Sequence, residues 1–144
     1  MTTTVKENHA LTNCRGQLES IKELYREFKK QEDLEAFGVG SNVANWTSEG
    51  IVERAREEAL SVEFRSSWCS NFEDAKPEEF KILLSTGGPA CQIIGKIDYG
   101  SCEPIDIEIQ YQDWGTPWTS HEISYNQDDY QALEWFCNCF YFGE

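Results

Sequence analysis

The chain has 144 residues and a formal net charge of −14, with five Trp, six Tyr and eight Phe. So many aromatic residues argue against an intrinsically disordered chain, and the length suits one domain spanning 1–144 with its own core. A strongly negative field repels nucleic acid and anionic membranes and attracts basic protein surfaces. We therefore expect no direct binding to nucleic acid or membrane, although the charge also suits a role in solubility alone.

The negative charge is concentrated in the second half of the chain. Residues 71–144 contain 14 acidic and 3 basic residues, and neither Lys nor Arg follows Lys96. The opening residues 1–6 lack the apolar segment of an export signal. No apolar run approaches the ~20 residues of a membrane span. These features predict a cytoplasmic protein, which would act in the host cytoplasm if a phage encodes it.

The six cysteines form no C-x-x-C pair, and thiols stay reduced in the cytoplasm. We interpret them as buried free thiols rather than a zinc site gathered from distant parts of the chain, because the ligand spacing of zinc modules is absent. No metal or cofactor is expected. The cysteines are Cys14, Cys69, Cys91, Cys102, Cys137 and Cys139.

The first 60 residues predict two helices after a loose segment, 1–12. Apolar residues recur every three or four positions between about 15 and 35, which is typical of one stripe of an amphipathic helix. A second helix is predicted over about 49–60, with Thr47 or Ser48 as its cap. The stripe of the first helix consists of Leu18, Ile21, Leu24, Tyr25 and Phe28.

Strands follow at about 62–68, 80–85 and, as a hairpin, 90–114, with a short fifth strand at about 121–125. In the second half of the hairpin one parity is apolar and the other acidic or polar, which predicts a dry inner face and a wet outer face. A last helix is predicted over about 128–140. The inner set is Ile105, Ile107, Ile109 and Tyr111, and the outer set is Asp106, Glu108, Gln110 and Gln112.

This order of elements predicts an α+β fold, because strands that arrive in a run pair antiparallel. We expect a four- to five-stranded meander, with two N-terminal helices and one C-terminal helix packed on one face. The helical part would cover 13–60, and the sheet with its last helix 61–144.

The acidic outer face of the hairpin is the first candidate site. Carboxylates on neighbouring strand positions lie about 5–7 Å apart, close to the spacing of phosphates, so such a face could mimic nucleic acid. An ordinary solvated face is the alternative. Two tryptophans around a Gly-Thr-Pro break could anchor a partner or could close the end of the core. The candidate partner-binding residues are Asp98, Asp106, Glu108, Asp113, Trp114 and Trp118.

Two other candidates carry weaker signals. Thr86–Pro89 could form an anion-binding nest, and together with Trp114 and Trp118 this suggests a small-molecule or nucleotide-sequestering module. No Gly-Lys-Ser/Thr follows, so a hairpin turn is the simpler interpretation. His121, Asp113 and Cys91 could form a nucleophilic set, but no catalytic signature surrounds them. We therefore interpret the protein as non-enzymatic.

Three segments resemble a family of small acidic hypothetical proteins of phages and mobile elements. They are LSTGGPA at 84–90, YQDWGTPW at 111–118 and CFYFGE at 139–144, and the likeness covers about 58–144. The resemblance implies a setting in which such proteins inhibit host defence, as anti-CRISPR proteins and nucleic-acid mimics do. It implies no catalytic residue. The expected partner is a basic surface of a host nucleic-acid-binding protein or CRISPR effector.

Overall fold

The described part of the chain forms three α-helices and a five-stranded antiparallel sheet in a computed structural model. The structure describes residues 9–39, 47–86, 89–98, 100–113, 115–123 and 128–140. The predicted α+β class is confirmed. The elements are α1 (His9–Ala36), α2 (Ser48–Glu57), β1 (Ser61–Arg65), β2 (Glu79–Ser85), β3 (Ala90–Ile97), β4 (Pro104–Gln112), β5 (Thr119–Ser120) and α3 (Asp128–Asn138), with a 3-10 turn at Phe72–Asp74.

Helix α1 is longer than its predicted span of about 15–35. It begins at His9 because Ala10 and Cys14, one helical turn apart, continue the apolar stripe of Leu18 and Ile21 towards the N-terminus. All four residues are buried. The prediction that 9–12 are loose is wrong, and residues 1–8 lie outside the described residues.

Helix α2 is shorter than predicted and ends at Glu57. Thr47 is its cap, since the Gly50 N–H donates to Thr47 Oγ1 at 3.0 Å. The N–H and hydroxyl of Ser48 donate to the Glu35 carboxylate at 2.9 and 2.6 Å. These bonds join the start of α2 to the end of α1. The two N-terminal helices are therefore unequal, with 28 and 10 residues.

The sheet is the predicted meander, with order β1-β2-β3-β4-β5 and each strand antiparallel to the next. Its inner face carries Phe80, Ile82, Ile93 and Ile109, which are buried. Helices α1 and α3 cover this face at β3 and β4, and α2 packs on α1. The apolar half of each strand therefore joins the helices in one core cluster.

A bulge in β4 changes the predicted alternation. Ile94 pairs with Glu108 but Lys96 pairs with Ile105, so β4 has one extra residue between these two pairs. Asp106 has a positive φ of 51° there, a conformation that Asp tolerates better than most residues. The extra residue turns Ile105 outward, where it is 38% exposed. The prediction that Ile105 points inward is wrong, whereas Ile107 and Ile109 are buried as predicted.

Two strand boundaries also differ from the predictions. Strand β1 ends at Arg65 instead of about 68, where it pairs with Glu79 and where the Glu78 N–H donates to the Arg65 carbonyl at 2.9 Å. Strand β5 lies at Thr119–Ser120 rather than 121–125, and its ladder extends one bond further, from the His121 N–H to the Ile109 carbonyl at 2.9 Å. Residues 124 and 125 of the predicted strand lie outside the described residues.

Helix α3 ends near its predicted boundary and buries Ala132, Leu133, Phe136 and Cys137. Cys14, Cys91 and Cys139 are buried as well, as predicted. Cys69 and Cys102 are exposed, so the expectation of six buried thiols is wrong for these two, which sit in connections. Within the described residues, no helix combines the length and the apolarity that a bilayer span requires.

Candidate partner-binding surface

The outer face of β4 carries a ladder of polar side chains. Gln92 Nε2 donates to Gln110 Oε1 at 2.8 Å, and Gln110 Nε2 donates to Ser120 Oγ at 3.4 Å. Ser120 Oγ in turn donates to Glu108 Oε1 at 3.3 Å. This network links β3, β4 and β5, and it fixes the carboxylate of Glu108 at the β5 side of the sheet. Glu108 remains exposed and can face a partner.

Asp98 lies at the turn between β3 and β4 and is engaged by that turn. The Ser101 hydroxyl and N–H donate to Asp98 Oδ2 at 2.8 and 3.1 Å. These bonds hold the pKa of the Asp98 carboxyl below its usual value, because they stabilise the charged form. Asp98 is therefore a stable negative charge that also shapes the hairpin turn.

Asp113 lies at the other end of β4. Its N–H donates to Thr116 Oγ1 at 3.0 Å, and its carbonyl accepts from the Thr116 N–H at 3.2 Å, so the residue closes a tight turn. Nine residues of β4 separate this turn from the turn of Asp98, a distance of about 26 Å along a strand. Asp98 and Asp113 therefore lie at the two ends of β4, with Asp106 and Glu108 between them; Asp113 continues the parity of the buried Ile107 and Ile109, whereas Asp106 and Glu108 have the outer parity.

The predicted tryptophan pair is described only in part. Trp118 is half-buried before β5, whereas Trp114 lies outside the described residues. The same holds for Gly87 and Gly88 of the predicted nest. Strands β2 and β3, which flank that turn, pair antiparallel as a hairpin requires.

The outer face is not uniformly acidic, because β1, β2 and β3 place basic residues on it. One row across the sheet runs Glu63, Lys81, Ile94, Glu108. The next row runs Arg65, Glu79, Lys96, Ile105, and Arg65 Nε donates to Glu79 Oε2 at 2.7 Å. The expected acidic outer face is therefore present on β4, which we call the β4 side of the sheet. The part of the outer face formed by β1, β2 and β3 carries charges of both signs.

The carboxylates of Asp98, Asp106 and Glu108, on and beside β4, form no ion pair, among those found in the described residues, with the protein's own basic side chains. Asp106 and Glu108 are exposed. Lys96 lies on the neighbouring strand β3, opposite Ile105, and Lys81 lies two strands away from Glu108, about 10 Å. Neither lysine belongs to an ion pair found among the described residues. The β4 side therefore presents carboxylates that the protein's own basic residues do not neutralise by direct contact.

A groove of about 750 Å³ lies beside the bulge. Charged side chains of both signs line it, together with a few apolar groups. Such a volume is in the range of small-molecule sites, although those are mostly apolar. Its charged lining residues are Glu63, Arg65, Glu79, Lys81, Lys96, Asp106 and Glu108.

The structure gives no support to a nucleophilic set of Cys91, His121 and Asp113. Cys91 is buried on the inner face, and the hydrogen bond with Cys14, together with burial, raises the pKa of the Cys91 thiol above its ordinary value. The thiol is therefore protonated at neutral pH and is not a nucleophile. Burial also lowers the pKa of His121. The described residues contain no group of three His, Cys, Asp or Glu placed to hold a metal ion.

The connection between β1 and β2 exposes two large aromatic side chains that the sequence interpretation missed. Trp68 and Phe72 are fully exposed, and Phe64 at the end of β1 is 54% exposed. The available signal was two aromatic residues within the polar segment SSWCSNFED, at 66–74. For Trp68 the signal was missed because β1 was predicted to extend to 68, and an alternating strand would bury every second side chain.

Comparisons of the chain with protein-family models, with curated proteins and with solved structures find no match.

Proposed function

We propose that the protein is a non-enzymatic, phage-encoded inhibitor of the anti-CRISPR type, which binds a basic surface of a host nucleic-acid-handling complex. The observation that carries this proposal is the β4 side of the outer face. There Asp106 and Glu108 are exposed and make no ion pair among those described. Neither Lys nor Arg follows Lys96 in the sequence.

The mechanism is competition for a surface that normally holds nucleic acid. Lys and Arg side chains that bind phosphates would be attracted to the row of carboxylates from Asp98 through Asp106 and Glu108 to Asp113. Complementary charge accelerates encounter, whereas close apolar contact slows dissociation. Trp118, which is half-buried before β5, and Trp114 would provide that contact.

The test neutralises two carboxylates without changing the backbone. Asp106 has a positive φ, which Asn tolerates better than other neutral residues that have a Cβ, so the variant is Asp106→Asn/Glu108→Gln. We expect inhibition of DNA cleavage by purified CRISPR effector–guide complexes to need at least about tenfold more of this variant, a difference of about 1.4 kcal/mol in binding. The complexes to be assayed are those recovered with the protein from a bacterial lysate at low salt.

The matched control removes the same charge elsewhere. Glu32 and Asp33 are exposed on α1, so Glu32→Gln/Asp33→Asn changes net charge equally and should leave inhibition unchanged. Binding of the wild-type protein should also weaken steeply between about 50 and about 200 mM salt. Equal effects of the two double variants, or affinity that does not depend on salt, would contradict the mimicry.

A second candidate is a small-molecule or nucleotide-sequestering module, and the groove of about 750 Å³ favours it. The Gly-Gly turn on which the sequence argument depended lies outside the described residues, as does Trp114. Thermal unfolding with a panel of nucleotides separates the two candidates. A ligand that binds only the folded state raises the melting temperature, and a nucleotide that does so would favour sequestration over inhibition by contact.

A further inference from the structure

Strand β1 forms one edge of the sheet, and no strand of the described residues pairs with its outer side. An unpaired edge carries free backbone N–H and C=O groups that can accept another strand. Natural sheets often protect such an edge with Pro, inward-pointing charge or a covering loop. Here Glu63, Phe64 and Arg65 are exposed along it, which leaves the edge accessible.

The sequence of β1 is complementary to itself in one antiparallel register. When Phe64 lies opposite Phe64 of a second copy, Glu63 lies opposite Arg65 of that copy, and the reverse pair forms as well. Within one copy Glu63 already lies beside Lys81, and Arg65 beside Glu79. Charges would therefore alternate across four adjacent strands, from Lys81 and Glu63 to Arg65 and Glu79 of the second copy. Opposite charges facing each other stabilise cross-strand pairs, and like charges destabilise them.

Other registers lose this complementarity. Antiparallel pairing about a twofold axis keeps the outer faces together only when a residue lies opposite itself. Centring the pair on Glu63 would place two Glu63 carboxylates opposite each other, and centring on Arg65 would do the same with two guanidinium groups. Centring on Val62 gives no charge pair between the copies. The register centred on Phe64 is therefore favoured.

The same register brings exposed apolar side chains together. Phe64, which is 54% exposed, would pack on its equivalent as an aromatic cross-strand pair. Leu60 is 60% exposed and would lie opposite the fully exposed Trp68 of the second copy, once residues 66–68 extend the strand. These three residues are among the largest exposed apolar groups of the described chain. Pairing would remove all of them from water.

We propose that two copies of this chain associate through β1, antiparallel and with Phe64 at the twofold axis, to form one continuous sheet. The β4 sides of the two copies then lie at the far ends of that sheet, so the proposal does not depend on the acidic surface or its partner. The dimer would present two acidic surfaces, which increases effective affinity for a partner with two basic sites.

The first experiment measures mass by light scattering after size-exclusion chromatography over a range of concentrations. The wild-type mass should rise from 16.6 kDa towards twice that value as concentration increases. Phe64→Ser should raise the dimer dissociation constant at least tenfold. Phe72→Ser, which removes an aromatic side chain outside β1 that is more exposed than Phe64, should leave the dissociation constant unchanged. A wild-type chain that stays monomeric at every concentration overturns the proposal, as does equal behaviour of the two variants.

The second experiment tests the register. Glu63→Lys places two positive charges opposite each other, and Arg65→Glu places two negative charges, so each variant alone should be monomeric. In a mixture of the two variants the substituted positions face each other with opposite charge, and a dimer should form again. Circular dichroism checks that each variant is folded. A mixture that stays monomeric, or single variants that dimerise as well as wild type, would exclude this register.

Discussion

At the scale of single residues, His121 makes the fold sensitive to pH. Burial lowers the pKa of its imidazole, and the charge of Arg15 acts in the same direction, while Asp129 and Glu122 oppose both. Because the folded state resists protonation, the unfolded chain binds the proton more readily at mildly acidic pH. The contribution of His121 to stability is therefore complete above its unfolded pKa of about 6.5 and declines as the pH falls through and below that value.

The lowered pKa of His121 leads to a prediction about stability at different pH values. The contribution of His121 should lower the melting temperature between about pH 7.5 and about pH 5.5, so the change over this range should be less favourable in the wild-type protein than in His121→Asn. His9 is exposed at the start of α1, so His9→Asn serves as the control and should follow the wild-type curve. The measurement is thermal unfolding by circular dichroism. Parallel curves for wild type and His121→Asn would show that burial of this ring does not contribute.

The burial and hydrogen bonding of single side chains could be predicted least well from the sequence. The sequence places His121 near a short strand, but Arg15, whose charge lowers the pKa of His121, is distant from it in the sequence. Asp98 could be predicted at a turn, since Gly100 and Ser101 follow it. Its hydrogen bonds with Ser101 could not, because they depend on the conformation that the turn adopts.

At the scale of elements, two glycines allow opposite predictions. Gly95 in β3 faces the bulge, and a Cβ there would lie 2.7 Å from two ring atoms of Phe80, which is buried in the core. Gly16 lies within α1, and a Cβ there would have no atom within 4 Å. At Gly95, close packing against Phe80 leaves no room for a side chain. At Gly16 there is room for a side chain, and the glycine only lowers the helix propensity of α1.

Gly95→Ala should therefore reduce the free energy of unfolding by about 1–3 kcal/mol, as overpacked cores do. Gly16→Ala should increase it by about 0.5–1 kcal/mol, since Ala is the better helix former. Urea unfolding followed by tryptophan fluorescence measures both. If the two variants change stability in the same direction, either Phe80 does not cover Gly95 or Gly16 has a role beyond the helix.

Helices and strands were predicted well where apolar residues recur with a regular spacing over many positions. The stripe of α1 follows from side-chain spacing and is present, and so is the alternation of β4 beyond the bulge, where Ile107 and Ile109 are buried and Glu108 is exposed. The bulge was missed because Ile105 and Ile107 flank Asp106 symmetrically, so nothing in the pattern marks an inserted residue. The displaced β5 was missed because a two-residue strand has no periodicity to detect.

At the scale of the whole molecule, the candidate surface was predicted only in part. Local alternation identified the exposed carboxylates of β4. It could not show that Lys81 and Arg65 share the same face, because the register between strands distant in sequence is not encoded in either strand alone. The acidic surface is thus the β4 side of the sheet and its two end turns, and the proposal of mimicry applies to that side.

The net charge of −14 should also weaken the fold itself by self-repulsion. Screening reduces this repulsion, since the Debye length falls to about 10 Å at 0.1 M salt. The melting temperature should therefore rise between about 20 and about 300 mM sodium chloride at neutral pH. The rise should largely disappear near pH 4.5, the isoelectric point, where the net charge is small.

The opposite dependence is expected for binding, which should weaken over the same range of salt. If stability rises while affinity falls, the loss of affinity cannot result from unfolding and must come from screened attraction between the two proteins. Thermal unfolding and binding measured in the same buffers separate these effects. A melting temperature that is flat or falls with salt at neutral pH would mean that the 26 acidic residues are neutralised within the fold, and it would remove the physical basis for attracting a basic partner.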